Sequence, residues 1–377
     1  MKLTTAGESH GKALVAIIEG LPAHLSIDKE KIDEELALRQ KGYGRGGRQK
    51  IERDSVEILT GVRNGETLGS PLTLCIYNRD FSNWESCMSD GECDNSVMEK
   101  KAVTKVRPGH ADLAGVLKFS QTDARNILER ASARETAVRV AAGSVFKQYL
   151  LELGVEISGY VQRVEGVVDE KEYTFDEILN AKNTELGILD LALSNLAKAR
   201  IDELKSNGDT AGGVAEIRVR GLKSGFGSMM TYAEKLDARL SSALMSIQAV
   251  KGVEVGIGFN AAKTSGKNVH DEIFYQDGFK RKTNRAGGIE GGISNGEEIV
   301  LRVAMKPIPT LMQGLKTVDC RSLQEEIAAA ERSDVCAIFA LERIAEAAVA
   351  EVLARTVKER LGGDTIAEVK ARYELLP

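Results

Sequence analysis

The order in which strand-like and helix-like runs follow one another constrains this chain more than any single motif. Short β-branched and apolar runs recur at Ala13–Ile18, Val56–Leu59, Leu72–Tyr77, Val155–Val161, Val214–Val219, Val253–Phe259 and Ile299–Met305. Helical spacing fills Asp28–Leu38, Ser132–Leu153, Leu189–Lys205 and Val335–Leu361. Strands succeed one another more often than they alternate with helices, which favours α+β with antiparallel sheets over a doubly wound parallel sheet. No solenoid-period repeat and no Pro/Ser-rich linker interrupts the pattern. The expectation is one domain over residues 1–377, with long functional loops at about 39–53, 80–110, 278–296 and 306–335.

Composition narrows the partners. A net charge of −5 gives no general attraction to nucleic acid. Lys2 is followed by no apolar leader, and no apolar run approaches the ~18 residues of a membrane span, so the expected location is cytoplasmic with no membrane partner. The five cysteines form no CxxC and no zinc spacing, so free thiols and no metal site are expected.

Two of the four histidines sit in glycine-flanked loops. His10 lies in Gly7-Glu-Ser-His-Gly11 and His110 in Arg107-Pro-Gly-His-Ala-Asp112. Histidine titrates near neutrality, so a pair on loops suggests proton transfer. His24 and His270 read as ordinary surface residues. Arg39, Lys41, Arg45, Arg48, Lys50 and Arg53 crowd one segment of an acidic chain, which reads as an anion-binding loop or lid for a phosphorylated or carboxylated ligand, ahead of RNA. The GxGxxG at Gly42, Gly44 and Gly47 follows a helix rather than a strand, and Gly256–Ala261 leads into a helix-poor stretch, so neither opens a dinucleotide fold. Ser132 and Glu135 have capping-box spacing, which starts a helix whose N-terminus, with Arg130 and Arg134, is an anion site or simply a well-capped end. Lys306-Pro-Ile-Pro-Thr310 fixes an extended turn. Asp334 is either the N-cap of the last long helix or a catalytic carboxylate.

Together these segments resemble one family. GESHG at Gly7–Gly11, RPGHADLAG at Arg107–Gly115, ERASARETAVRVAAG at Glu129–Gly143, GGISNGE at Gly291–Glu297, AMKPIPTL at Ala304–Leu311 and RSDVCA at Arg332–Ala337 are similar to the chorismate synthases, in order and along essentially the whole chain. The resemblance implies an α+β fold with helices sandwiched between antiparallel sheets, assembled as a homotetramer. It implies 1,4-anti-elimination of phosphate from 5-enolpyruvylshikimate 3-phosphate to give chorismate, with reduced FMN required and not consumed. His10 then resembles the proton donor to the departing phosphate, His110 the group that holds or protonates the flavin, and Asp334 the acceptor of the ring proton. FMN contacts fall by similarity on Arg130, Ala131, Ser132, Gln248, Ala249, Gly291, Lys306, Pro307, Ile308, Pro309, Thr310 and Arg332. Arg39, Arg45, Arg48, Arg107 and Arg134 suit the substrate's phosphate and carboxylates, with NADPH also implied at Arg39 and Arg45. The flavin is expected reduced from an external reductase. The family pattern is departed from at Ile338–Arg343, where Pro and small residues are usual, which bears on helix packing more than on chemistry.

Overall fold

The computed structural model describes residues 1–46, 53–328 and 333–377. Strands β1 (Lys2–Ala6), β2 (Ala13–Glu19), β3 (Glu57–Thr60) and β4 (Leu72–Tyr77) form one sheet in the order β1-β2-β4-β3. A second sheet runs β8 (Val250–Val255), β9 (Ile299–Met305), β7 (Gly213–Arg220), β5 (Glu156–Val164), β6 (Val167–Val168). Every pairing within these two sheets is antiparallel. Alternation sets the faces: Leu14, Ala16 and Ile18 of β2, and Ile299, Leu301, Val303 and Met305 of β9, point inward. On the outer face of the second sheet Arg302 bridges Glu254 at 3.0 Å and Glu216 at 3.4 Å.

Helices α1 (Lys29–Gln40), α2 (Asp112–Phe119), α3 (Arg125–Ala131), α4 (Thr136–Leu151), α5 (Leu191–Ser206), α6 (Leu236–Met245), α7 (Ile338–Leu361) and α8 (Ile366–Glu374) complete the main elements. α4 is apolar nearly all round, and such a helix must be covered on every side. It lies on β2 and β4, while α7 lies on β5 and β7, and the two helices pack on each other. The layers are therefore sheet, α4, α7, sheet, the expected sandwich, and one continuous apolar core includes residues of both sheets. The helices cross closely because Gly143 has no side chain: a Cβ there would stand 2.3 Å from that of Ala347.

The differences from the sequence reading have local causes. The expected strand Val253–Phe259 is displaced to Val250–Val255, because Gly256 turns with φ 59° and residues 258–263 form 3₁₀ turns. β1 has one large apolar residue, Leu3, in Lys-Leu-Thr-Thr-Ala and gives no strand signal. The loops expected at 80–110 and 306–335 carry short elements, among them helix Asn95–Lys101 and a hairpin pairing Lys316–Val318 with Glu325–Ile327. Arg39 ends α1 instead of opening a loop. No helix among the described residues is long and apolar enough to cross a membrane.

Candidate active site

The loop carrying His10 is held from two sides. Gly7 turns with φ 114° where a Cβ would stand 2.4 Å from the Ala13 carbonyl oxygen, so only glycine fits. Asn78, following β4, donates Nδ2 to the carbonyls of Glu8 (3.1 Å) and Gly11 (2.7 Å). From α3, the Glu129 carbonyl accepts Ser9 N–H at 3.0 Å, and the Glu129 carboxylate takes His10 N–H at 2.7 Å and His10 Nδ1 at 2.8 Å. Burial alone would raise the Glu129 pKa, but the hydrogen bonds and charge of His10, with Arg125 behind, bring it below the usual range.

His110 repeats the arrangement with different parts. Asp112, fully buried at the start of α2, takes His110 Nδ1 at 2.5 Å, Arg107 Nε at 2.8 Å and Arg107 N–H at 3.1 Å. Burial pushes this carboxyl up, and the bonds from His110 and Arg107 more than reverse it, leaving Asp112 well below the carboxylate range. Arg107 Nη2 is also 3.1 Å from His110 Nδ1; the shorter contact to Asp112 assigns the Nδ1 proton to that bond. In both histidines the carboxylate fixes Nδ1–H and leaves Nε2 for chemistry.

The cations gather around the same loops. Arg39 is buried at the end of α1, donating Nε to Thr136 Oγ1 at 3.0 Å and Nη2 to the Ala133 carbonyl at 2.8 Å. Burial lowers its pKa to about 10, against the attraction of Asp54; Arg45 and Arg134 push the same way as burial. Arg134 donates Nη1 to Asp54 at 2.6 Å and Nε to Asn78 at 2.9 Å. Arg45 Nε lies 3.2 Å from Asp334 Oδ2, and Asp334 Oδ1 accepts Gly46 N–H at 2.6 Å. The N-cap reading of Asp334 is thereby overturned: α7 begins at Ile338 with Ala337 in the cap position, and Asp334 is spent on residues 45 and 46. Arg48 and Arg332 lie outside the described residues.

The remaining expected residues mostly join this group. Ser132 Oγ is 3.3 Å from Ser9 Oγ, and Arg130 donates to the carbonyls of Gly7 (3.1 Å) and Thr5 (3.2 Å). Ala131 ends α3 beside them. The capping box expected from Ser132 and Glu135 is not made: Ser132 caps a 3₁₀ turn by accepting Arg134 N–H, while Glu135 takes Thr5 Oγ1 at 3.2 Å and Gln248 Nε2 at 3.4 Å. α4 accordingly starts at Thr136. Ala249, held at φ 68°, gives its carbonyl to Lys306 N–H at 3.0 Å, and Lys306 Nζ bonds the Gly109 carbonyl. Burial, then Lys251, lowers the Lys306 pKa. Thr310 accepts Arg107 Nη1 at 3.2 Å, its carbonyl accepts Ser333 Oγ at 3.0 Å, and the Ile308 carbonyl between Pro307 and Pro309 accepts Thr210 Oγ1 at 2.8 Å. Gly291 turns a hairpin at φ 59°, and among the described residues no hydrogen bond ties it to the others.

Sequence reasoning missed Glu129, Asp54, Asn78 and Asp112 as parts of the site. Asp112 had a signal, standing two residues after His110 in the same motif; Asp54 and Asn78 had none. His24 and His270 are exposed, and His24 pairs with Glu66 at 3.1 Å beside a surface hollow of about 720 Å³ that shares no residue with the constellation.

The chorismate synthase family model matches residues 1–357. Chorismate synthase of Geobacter sulfurreducens is 53% identical over 356 residues, covering 92% of this chain and 90% of that protein. That of Caldicellulosiruptor bescii is 52% identical over 344 residues, covering 90% and 89%. Chorismate synthase 1 of Bacillus cereus is 50% identical over 354, covering 92% and 90%. A crystal structure of chorismate synthase superposes with a TM-score of 0.80 at 40% identity, over 99% of this chain and 96% of the other. With a full-length family match, relatives above half identity and the same fold, the chain belongs to the chorismate synthase family.

Proposed function

We propose that His10, His110 and Asp334 handle protons in one site formed by the 7–11 loop, the 107–112 loop and the 306–310 turn. Family membership sets the reaction: 5-enolpyruvylshikimate 3-phosphate loses phosphate and becomes chorismate, in a family that uses reduced FMN. The observation carrying this reading is that each histidine has Nδ1 on its own buried carboxylate, which an arginine also bonds: Arg125 on Glu129 and Arg107 on Asp112.

With Nδ1 engaged by Glu129, His10 gives its Nε2 proton to the departing phosphate oxygen as the carbon–oxygen bond breaks. Asp334 takes the ring proton, and the electrons of that carbon–hydrogen bond become part of the new diene. Arg39, Arg45, Arg107 and Arg134 receive the phosphate and carboxylates, with Arg48 added from the resemblance; desolvated cations bind such groups most strongly. The residues fit a flavin nucleotide: Gln248 Oε1 is a buried acceptor with no hydrogen-bond partner among the described residues, suited to a ring N–H. Arg130, Ser132, Lys306 and Thr310 supply donors, and Ala131, Ala249, Gly291, the proline-flanked Ile308 and Arg332 would complete its cradle. Bound there, reduced FMN would supply electron density to the allylic system. His110 holds or supplies a proton at Nε2 toward it.

Arg39 and Arg45 lie in one cluster with Arg134 and Asp334, which supports giving them to the substrate rather than to NADPH. The reading accordingly has an external flavin reductase, with NADPH only an indirect reductant, and a homotetramer in the cytoplasm with no nucleic-acid partner. The test is an anaerobic assay with chemically reduced FMN. Chorismate and phosphate should form in equal amounts, and His10→Ala or His110→Ala should each lower turnover by roughly 10²–10⁴. Equal turnover with oxidised FMN and no reductant would overturn the reading.

A further inference from the structure

The chain has one tryptophan, and it lies against His10. Trp84 follows a 3₁₀ turn at Arg79–Asn83 in the segment after β4. Its ring stacks on the imidazole with centroids 3.9 Å apart and planes 27° from parallel. Its Nε1–H donates to Asp80 Oδ2 at 3.0 Å, which fixes the indole within its own loop. Lys101 Nζ stands 3.5 Å from the indole centroid. Arg125 is 5.0 Å from the same ring and 3.4 Å from Glu129 Oε1, joining the stack to the carboxylate that holds His10.

Glu129 alone does not define the imidazole's orientation. A single Nδ1–H bond fixes one ring nitrogen but leaves the ring free to tilt about the hydrogen-bond axis, which swings Nε2 through an arc. A flat partner on the ring face removes that freedom at little entropic cost, since indole has only two side-chain torsions. We propose that Trp84 is a positioning residue for His10, setting the plane of the imidazole so that Nε2 faces the departing phosphate. Cation–π attraction to Lys101 and the bond to Asp80 help to hold the indole in place. The proposal rests on the assignment of His10 as proton donor.

Because Trp84 is the chain's sole tryptophan, its fluorescence reads the stack without any turnover. An imidazolium in contact quenches excited indole more than neutral imidazole does, so wild-type emission should show a pH step that His10→Gln abolishes. Trp84→Phe, which keeps a flat face, should stay within about threefold of the parent, whereas Trp84→Leu should lose kcat by roughly 10–100-fold with KM and the thermal midpoint unchanged. In a His10→Gln background, Trp84→Leu should have no further effect on kcat. An emission step that survives His10→Gln, or an undiminished Trp84→Leu loss in that background, would overturn the proposal. Full activity of His10→Gln with the emission step abolished would instead overturn the donor assignment, leaving the stack real but idle.

Discussion

Two clusters of buried charge occupy opposite ends of α4, and they are built differently. Near its C-terminal end, Lys147 bonds Glu35 at 2.9 Å and also Glu346; Arg343 holds both carboxylate oxygens of Glu342 and lies 3.0 Å from Glu346. Two cations thus face three carboxyls. Burial, together with Glu346, pushes the Glu342 pKa well up despite the attraction of Arg343. About 16 Å along the helix, at its first turn, Arg39, Arg45 and Arg134 gather around Asp54 and Asp334. Desolvated arginines bind anions strongly, and the elimination's phosphorylated substrate is an anion. One cluster is packed between helices of the core; the other lies beside the loops proposed to receive the substrate.

The comparison can be broken first at Arg343. Arg343→Met leaves buried carboxyls without their shared cation, and urea unfolding should register a loss of about 3–5 kcal/mol. Folded enzyme should keep its KM; a weakened KM with unchanged stability would mean the Lys147–Arg343 cluster serves the site. The next largest effect is expected at Asp334. Asp334→Asn keeps an oxygen for Gly46 N–H, so stability should hold, while turnover with saturating reduced FMN falls roughly 10²-fold because an amide cannot take a proton. Normal turnover would leave Asp334 as a brace for residues 45 and 46. The smallest effect is expected at Glu342. Its folded pKa lies above its unfolded one, so its contribution to stability is complete below the ordinary glutamate range and is lost as pH rises through the folded value. Glu342→Gln should therefore lie within about 1 kcal/mol of the parent in mild acid and gain on it as pH rises. A flat difference across pH would show that Glu342 is ionised in the folded protein.

Much of this was legible in the sequence, and the limits are physical. Period-2 alternation in β2 and β9 and the predominantly apolar run in α4 announce which faces are buried, so the layered α+β architecture could be read. His10 and His110 stood out because glycine loops expose them. Their carboxylate partners differ: Asp112 is two residues from His110, whereas Glu129 is 119 residues from His10 and paired with it only by folding. Arg39 looked like a loop cation and proved to be a buried helix end, because local sequence records charge and not what covers it. Asp334 was ambiguous for the same reason; only the start of α7 at Ile338, four residues beyond Asp334, and the contact to Gly46, decide against the cap. The unusual Ile338–Arg343 segment opens α7 as regular helix, with Arg343 hydrogen-bonded to Glu342.

The place of α7 in the chain also governs how the molecule is made. Both sheets are encoded ahead of the helix that covers β5 and β7. On a ribosome adding about 5–20 residues per second, several seconds separate synthesis of Met305 from that of Leu361. Throughout that interval the inner face of the second sheet waits without its cover, as sticky as any unfolded core. Biogenesis, rather than the finished architecture, is therefore the stage at which this protein is most exposed to aggregation and most in need of a chaperone's shelter.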